Sequence, residues 1–299
     1  MSAAPVSAGS GRAEPRRARS RWAEFRRSRS GMAGLVVLGL FAAVAVLAPL
    51  LADPEGLRVT TATGQPLAPP TAGFPLGTDE VGRSVLTLLI WGARVSLFIG
   101  LLATAISMLI GTAMGVGAGH FRGWVGGTLD RVTEWFLVIP YLPLAIVLAT
   151  ILGRSLVNVA IVIGVTSWPG TARLIRAQTL AIEGRPYIER AKVLGAGNWH
   201  QMRHHVLPNV APLVFANTTL TVAVAILAET TLSFLGLGDP LRVSWGSMLD
   251  GAFTSGAVST EAWWYLLPPG LCVVVVVLSF TLVGRALERV VDPRLRDAT

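Results

Sequence analysis

Uncharged apolar runs alternate with short polar segments along this chain, and the alternation predicts its architecture. The first long run is Ala33 to Ala52. Five more follow: Val95 to Gly119, Trp135 to Leu152, Leu156 to Leu174, Val210 to Leu235 and Trp263 to Leu287. At about 1.5 Å per residue, each can cross roughly 30 Å of hydrocarbon. An open sheet in lipid would leave backbone groups unpaired, so the runs are read as helices. The expected fold is therefore an all-α polytopic membrane protein with six transmembrane helices. The fourth run carries Trp168-Pro169-Gly170, which predicts a break.

The polar segments divide the chain further. The expected parts are a tail over 1–30, a first span over 31–52, an external segment over 53–94, a core of five spans over 95–291, and a tail over 292–299. Residues 53–73 are rich in Pro, Gly and Thr and read as loop. Thr78 then suits a helix N-cap, with Asp79 and Glu80 in the first turn and Val81, Val85 and Leu88 on one face. This predicts an amphipathic helix on the outer surface, leading into the second span. Residues 238–262 read as a polar loop carrying Trp245.

The segment 185–208 is longer than the two to eight residues that usually join helices, so it implies a partner. Pro186 suits a first helical turn, and Gly195-Ala196-Gly197 stops the helix. Asn198 is placed to cap a second short helix that Pro208 ends. The prediction is a helix–turn–helix beneath the membrane. Ala191 and Gly195 lie four apart on one face, where small residues admit another protein's surface. Glu189 and the nearby Arg and Lys would fix docking by charge.

Composition agrees with a membrane chain. Apolar residues make up 52% and charged residues 14%, against roughly a quarter charged in soluble domains. The net charge of +8 could suit nucleic acid. The charges instead sit at the ends of apolar runs, with no basic patch interleaved with aromatics, so no nucleic-acid partner is expected. With the N-terminus inside, inner segments hold 20 of the 25 Lys and Arg. The outer five are Arg58, Arg83, Arg94, Arg154 and Arg242. This split predicts both termini in the cytoplasm. The Arg-rich tail resembles a signal-peptide n-region, but the run after it is long enough to span, so it reads as an uncleaved first helix. Cys272, the single cysteine, excludes an intrachain disulfide and any cysteine-based metal site.

Candidate chemistry is sparse. Glu229 near the end of the fifth span is an acid in lipid, which usually faces protein or water. Asn217, Thr218, Thr219 and Thr221 make that span polar at mid-depth, either as helix–helix glue or as a pathway lining. His200, His204 and His205 share a helix face, yet no nearby carboxylate or thiol completes a metal site, so none is expected. A phosphate-binding loop needs Gly-Lys-Ser/Thr, and the only lysine, Lys192, lies between Ala191 and Val193. Gly-Ser-Gly of a membrane protease occurs only at residues 9–11, in the tail. No catalytic residue and no bound cofactor are expected.

Several stretches carry a family resemblance. Glu189, Ala191, Gly195, Leu207 and Pro208 resemble the hallmark cytoplasmic loop of permease subunits in binding-protein-dependent ABC importers, with Arg190 in place of the family's first Ala. Residues 75–83, with Gly77, Asp79, Gly82 and Arg83, are similar to the outer segment of the C-type subunit in the dipeptide, oligopeptide and nickel branch. His205 to Asn209, Glu229 to Gly238, Ser244-Trp245-Gly246 and Asp292 to Arg296 are similar to further motifs of that branch. The resemblance implies the type I permease fold in a bacterial cytoplasmic membrane. It also implies a homologous B-type permease, an external solute-binding protein and two ATP-binding subunits that carry ATP and Mg. It leaves the solute open among peptides, nickel complexes and similar molecules. An ion-coupled carrier or channel is the alternative; it would need several buried ionisable residues along the spans, and only Glu229 qualifies.

Overall fold

The structure is a computed structural model and describes residues 25–291. Its helices are α1 (Arg29–Leu51), α2 (Val85–His120), α3 (Trp124–Val138), α4 (Tyr141–Leu152), α5 (Leu156–Glu183), α6 (Pro186–Val193), α7 (Asn198–Phe234), α8 (Trp245–Thr254) and α9 (Trp263–Val291). Among the described residues no strand forms, and only Thr78 and Ser84 make an isolated antiparallel bridge.

Four helices are long and apolar enough to cross a membrane: α1, α2, α7 and α9. The pair α3–α4, bent by 90°, adds a fifth if it counts as one span. The expected fourth span falls in α5, which misses that test because Asn158, Thr166, Ser167, Thr171 and Arg173 dilute its apolar residues. Packing explains the tolerance. Half-buried along its length, α5 lies against α2, and a helix shielded by neighbours needs less apolar surface than one bathed in lipid.

Among the described residues, the α2–α5 contact is the most extensive between helices. Gly111, Gly115 and Gly119 recur every fourth residue of α2 on the face toward α5. A Cβ on Gly115 would stand 2.5 Å from the Ala172 carbonyl oxygen, and one on Gly119 2.6 Å from Thr179 Cβ. Gly164 of α5 answers, since its Cβ would stand 2.6 Å from Ile106 Cβ. Backbones this close gain dispersion along the whole contact, which is the main attraction between helices in lipid. Held on both sides of Pro169, α5 runs unbroken through Trp168-Pro169-Gly170, against the predicted break.

Around this pair, α7 packs on α2 and α5, and α9 lies between α7 and α1. The short helix α8 packs against α7 and α9. Its Trp245 is fully buried, donates from Nε1 to the Leu89 carbonyl at 3.1 Å, and meets Phe41 of α1 edge-on. Ser244 and Ser247 cap α8 reciprocally, which explains a helix within the predicted polar loop.

Two boundaries differ from expectation. Thr78 does not cap a helix. Its hydroxyl bonds Gln65 O and Ala68 N, and Ser84 caps α2 instead. The predicted amphipathic helix is therefore only the first turns of α2, from Val85. Pro208 does not end a helix either. A π-turn over Met202–Val206 joins the first turn of α7 to Leu207–Phe234, and Pro208 stands in the first turn of that stretch, where its missing N–H is tolerated. Asn198 begins α7 rather than capping it; Gly197 holds the cap position.

Candidate functional site

The segment 185–208 folds as a knob at one end of the long helices. Pro186 starts α6, and a Schellman motif ends it. Gly195 N–H donates to Lys192 O and Ala196 N–H to Ala191 O, both at 3.0 Å, with Gly195 at φ +84°. The left-handed turn then feeds the first turn of α7. The base of the knob is apolar: Ile188 and Val206 are fully buried against Ile175, Ile182, Val210 and Val116.

Its tip is also apolar but uncovered. Val193 and Leu194 are each 87% exposed and Trp199 68%. Beside them a groove of about 610 Å³ is lined by Tyr187, Arg190, Ala191, Gly195, His200 and His205. Glu189 and Arg190 are exposed and make no ion pair among the described residues. The structure thus brings Arg190, Ala191 and Gly195 together on one groove wall, and Glu189 is exposed without being part of that lining. Leu207 and Pro208 lie half-exposed to exposed behind it, at the root of the long helix. His200 stacks on His204 at 4.3 Å between ring centroids, and His205 meets His200 edge-on. Among the described residues no group of three His, Cys, Asp or Glu side chains could hold a metal ion.

The polar residues of α7 serve two different contacts. Asn217 Nδ2 donates to Thr171 Oγ1 of α5 at 3.2 Å and approaches Met108 Sδ of α2. Thr221 Oγ1 reaches the same sulfur at 3.7 Å. These two residues tie three helices together at mid-depth. Thr218 does not join them; its hydroxyl bonds Val214 O of its own helix. Glu229 lies three turns farther out and is fully buried. It accepts from Ser96 Oγ of α2 at 3.0 Å and from Ser233 Oγ at 2.8 Å, and Ser96 Oγ in turn accepts from the Trp245 N–H. The carboxyl thereby links α2, α7 and α8.

Just before the N-terminus of α2, Asp79 organises a tight hairpin. Its Oδ1 accepts from the N–H groups of Val81 and Arg83, and its Oδ2 from Arg83 Nε at 2.7 Å. Arg83 also donates to Leu57 O, which pins the preceding loop. Gly77 and Gly82 have φ of +65° and +87°, and a Cβ on Gly77 would stand 2.5 Å from Trp264 Cδ1. Gly77, Asp79, Gly82 and Arg83 therefore act as one structural unit. It borders a cleft of about 420 Å³ with Trp91, Asp239 and Arg242 on its walls.

Sequence reading overlooked the Gly111–Gly115–Gly119 stripe, although its spacing of four within an apolar run is visible there. It also overlooked Ser96 and Glu183, whose roles depend on partners 133 and 63 residues away.

The fold and knob together define a class: a helical membrane protein whose described residues carry a structured, exposed knob at one end of the helices. Comparison with known proteins supplies the family. Residues 108–297 match the family described as binding-protein-dependent transport system inner membrane component, and residues 17–70 match the N-terminal TM domain of oligopeptide transport permease C. The chain belongs to this permease family. It is 36% identical to the dipeptide transport system permease protein DppC of Bacillus subtilis, covering 92% of this chain and 85% of that protein. It is 37% identical to the di/tripeptide transport system permease protein DppC of Pseudomonas aeruginosa, covering 93% and 92%. Identity to the glutathione transport system permease protein GsiD of Pectobacterium atrosepticum is 32%, covering 76% and 75%.

Proposed function

We propose that this chain is one permease half of an ATP-driven importer for dipeptides or short oligopeptides. The observation that carries the reading is the knob's tip. Three large apolar side chains, Val193, Leu194 and Trp199, stand in water on a rigid support, and burying them against a partner is favourable. An ATP-binding subunit, holding ATP and Mg, covers this tip. Glu189 and Arg190 orient it, and the small Ala191 and Gly195 allow close approach. A homologous B-type permease forms the other half of the pathway, and a second ATP-binding subunit docks beneath it. The chain crosses the membrane six times, with α5 as the shielded crossing and both termini in the cytoplasm. An external binding protein delivers solute to the face carrying Gly77, Asp79, Gly82 and Arg83. Asn217, Thr218 and Thr221 border the route inward, and the fully buried Glu229 braces the helices beside it. ATP-driven closure of the ATP-binding subunits pushes the knobs and turns the cavity outward; because a ligand shifts an equilibrium only through differential affinity, only the loaded binding protein stimulates hydrolysis.

Two measurements test this. The ATP-binding subunits should co-purify with the chain, and a Leu194→Cys variant with Cys272→Ala should cross-link to them. Absence of both, or labelling of that cysteine from outside intact cells, would remove the reading. For the cargo, a thermal-shift screen of the cognate binding protein should respond to dipeptides; a response to nickel chelates alone would replace peptide with metal.

A further inference from the structure

Beneath the knob lies a charged cluster that the docking surface does not use. Glu183, the last residue of α5, is 7% exposed. Its Oε1 lies 2.6 Å from Nδ1 of His120, the last residue of α2, and its Oε2 lies 2.7 Å from Nζ of Lys192 in α6. Burial by itself would raise the Glu183 carboxyl. The hydrogen bonds and positive charges of Lys192 and His120 outweigh it and hold the carboxyl below its ordinary range. Glu183 is therefore an ionised acceptor with a donor on each oxygen.

The arrangement does more than fasten the knob. Ile188 and Val206 already anchor the knob in an apolar base. A buried charge cluster is seldom the most stabilising choice, because apolar residues of similar size often do as well or better. Its distinctive property is directional. Two charge-assisted bonds fix one carboxylate relative to three elements at once: α2, α5 and α6. Helix α2 then runs about 54 Å, from this cluster to the outer hairpin at Ser84. On the way it carries Ser96, the partner of Glu229.

We infer that Glu183, gripped by Lys192 and His120, is the positioning residue that transmits displacement of the knob to α2 and α5 together. This rests on the docking role proposed above. When the ATP-binding subunits move α6, Lys192 pulls Glu183 and, through it, the inner ends of both helices of the tight α2–α5 pair. The apolar base alone can slip, since dispersion has little direction; the charged clamp cannot slip without leaving a buried charge unpaired.

The test uses the full importer in lipid nanodiscs, with its binding protein isolated from cells carrying its endogenous ligand. Two quantities are read: co-purification of the ATP-binding subunits, and the ratio of ATP hydrolysis with the binding protein to that without it. Glu183→Gln and Lys192→Met should keep co-purification but lower that ratio about fivefold or more, the lower end of typical coupling free energies. Lys192→Arg, which keeps the charge and the reach, should retain most of it. Lys192 is partly exposed, so its variants fold even if the Glu183 variant does not. Unchanged stimulation in Glu183→Gln and Lys192→Met overturns the clamp. So does a Lys192→Arg variant as defective as Lys192→Met, or loss of co-purification in step with loss of stimulation. Failure of the unaltered chain to bind ATP-binding subunits is a different result; it removes the docking reading, and the clamp with it.

Discussion

Gly195 offers the sharpest test, because its geometry separates the strain within the chain from the clash with a partner. Its φ of +84° is left-handed, and the Schellman bonds at 3.0 Å depend on it. A Cβ built on Gly195 meets nothing within 4 Å, so any side chain points into open space. Substitution therefore has one internal penalty, the left-handed backbone, of about 1–2 kcal/mol for most residues and less for Asn. Gly195→Ala and Gly195→Tyr should destabilise the isolated chain equally. Docking distinguishes them. If all the strain falls on the docking conformation, Gly195→Ala weakens binding of the ATP-binding subunits about 5–30-fold. Gly195→Asn, with less strain, should bind better than Gly195→Ala. Gly195→Tyr carries the same strain and also places a ring where the partner must approach. Its loss should exceed that of Gly195→Ala by about tenfold, for each further 1.4 kcal/mol of clash. The assay is titration of labelled ATP-binding subunits onto the permease pair in nanodiscs, with thermal unfolding of the permease alongside. A Gly195→Tyr variant that binds as well as Gly195→Ala would refute the idea that this surface is covered.

Three other outcomes follow from the packing. Glu229→Leu leaves the Ser96 and Ser233 hydroxyls without their acceptor, at about 1–3 kcal/mol for each stranded group, so the melting temperature should drop. Ser96→Ala added to it should cost less than in the unaltered chain, and strict additivity would show that the two residues do not interact. Gly115→Leu drives side-chain atoms into the Ala172 carbonyl, where overpacking costs about 1–3 kcal/mol or more; Gly127→Leu, which meets no neighbour, should melt like the unaltered chain. Glu183 predicts an acid dependence. Its carboxyl is held low in the folded chain, so its stabilisation is present above the ordinary carboxylate range and is lost as pH falls through the lowered value. The melting gap between the unaltered chain and Glu183→Gln should close on strong acidification. A gap that widens in acid would reverse the sign and contradict the assignment.

The sequence by itself determined the features that depend on near neighbours along the chain. Apolar runs marked the helices that face lipid. Pro186 and the glycines after Leu194 marked the knob, because a first-turn proline and a left-handed glycine act within a few residues. Ala191 and Gly195 share a face by their spacing of four, and both line the groove beside the knob's tip. Features that depend on distant partners were decided only by tertiary packing. Pro169 sits in an unbroken helix because Gly111 and Gly164 lock α5 to α2 on either side of it. Thr78 lost its capping role to Ser84 because Gln65 and Ala68 of the preceding loop claim its hydroxyl. Asn217 became a link to Thr171, Glu229 the centre of an outer network, and Glu183 a clamp, each through a residue at least 46 positions away or on another helix. A hydrogen bond between such groups has no signature in local periodicity, since only the close approach of α2, α5 and α7 brings donor and acceptor within 3.2 Å.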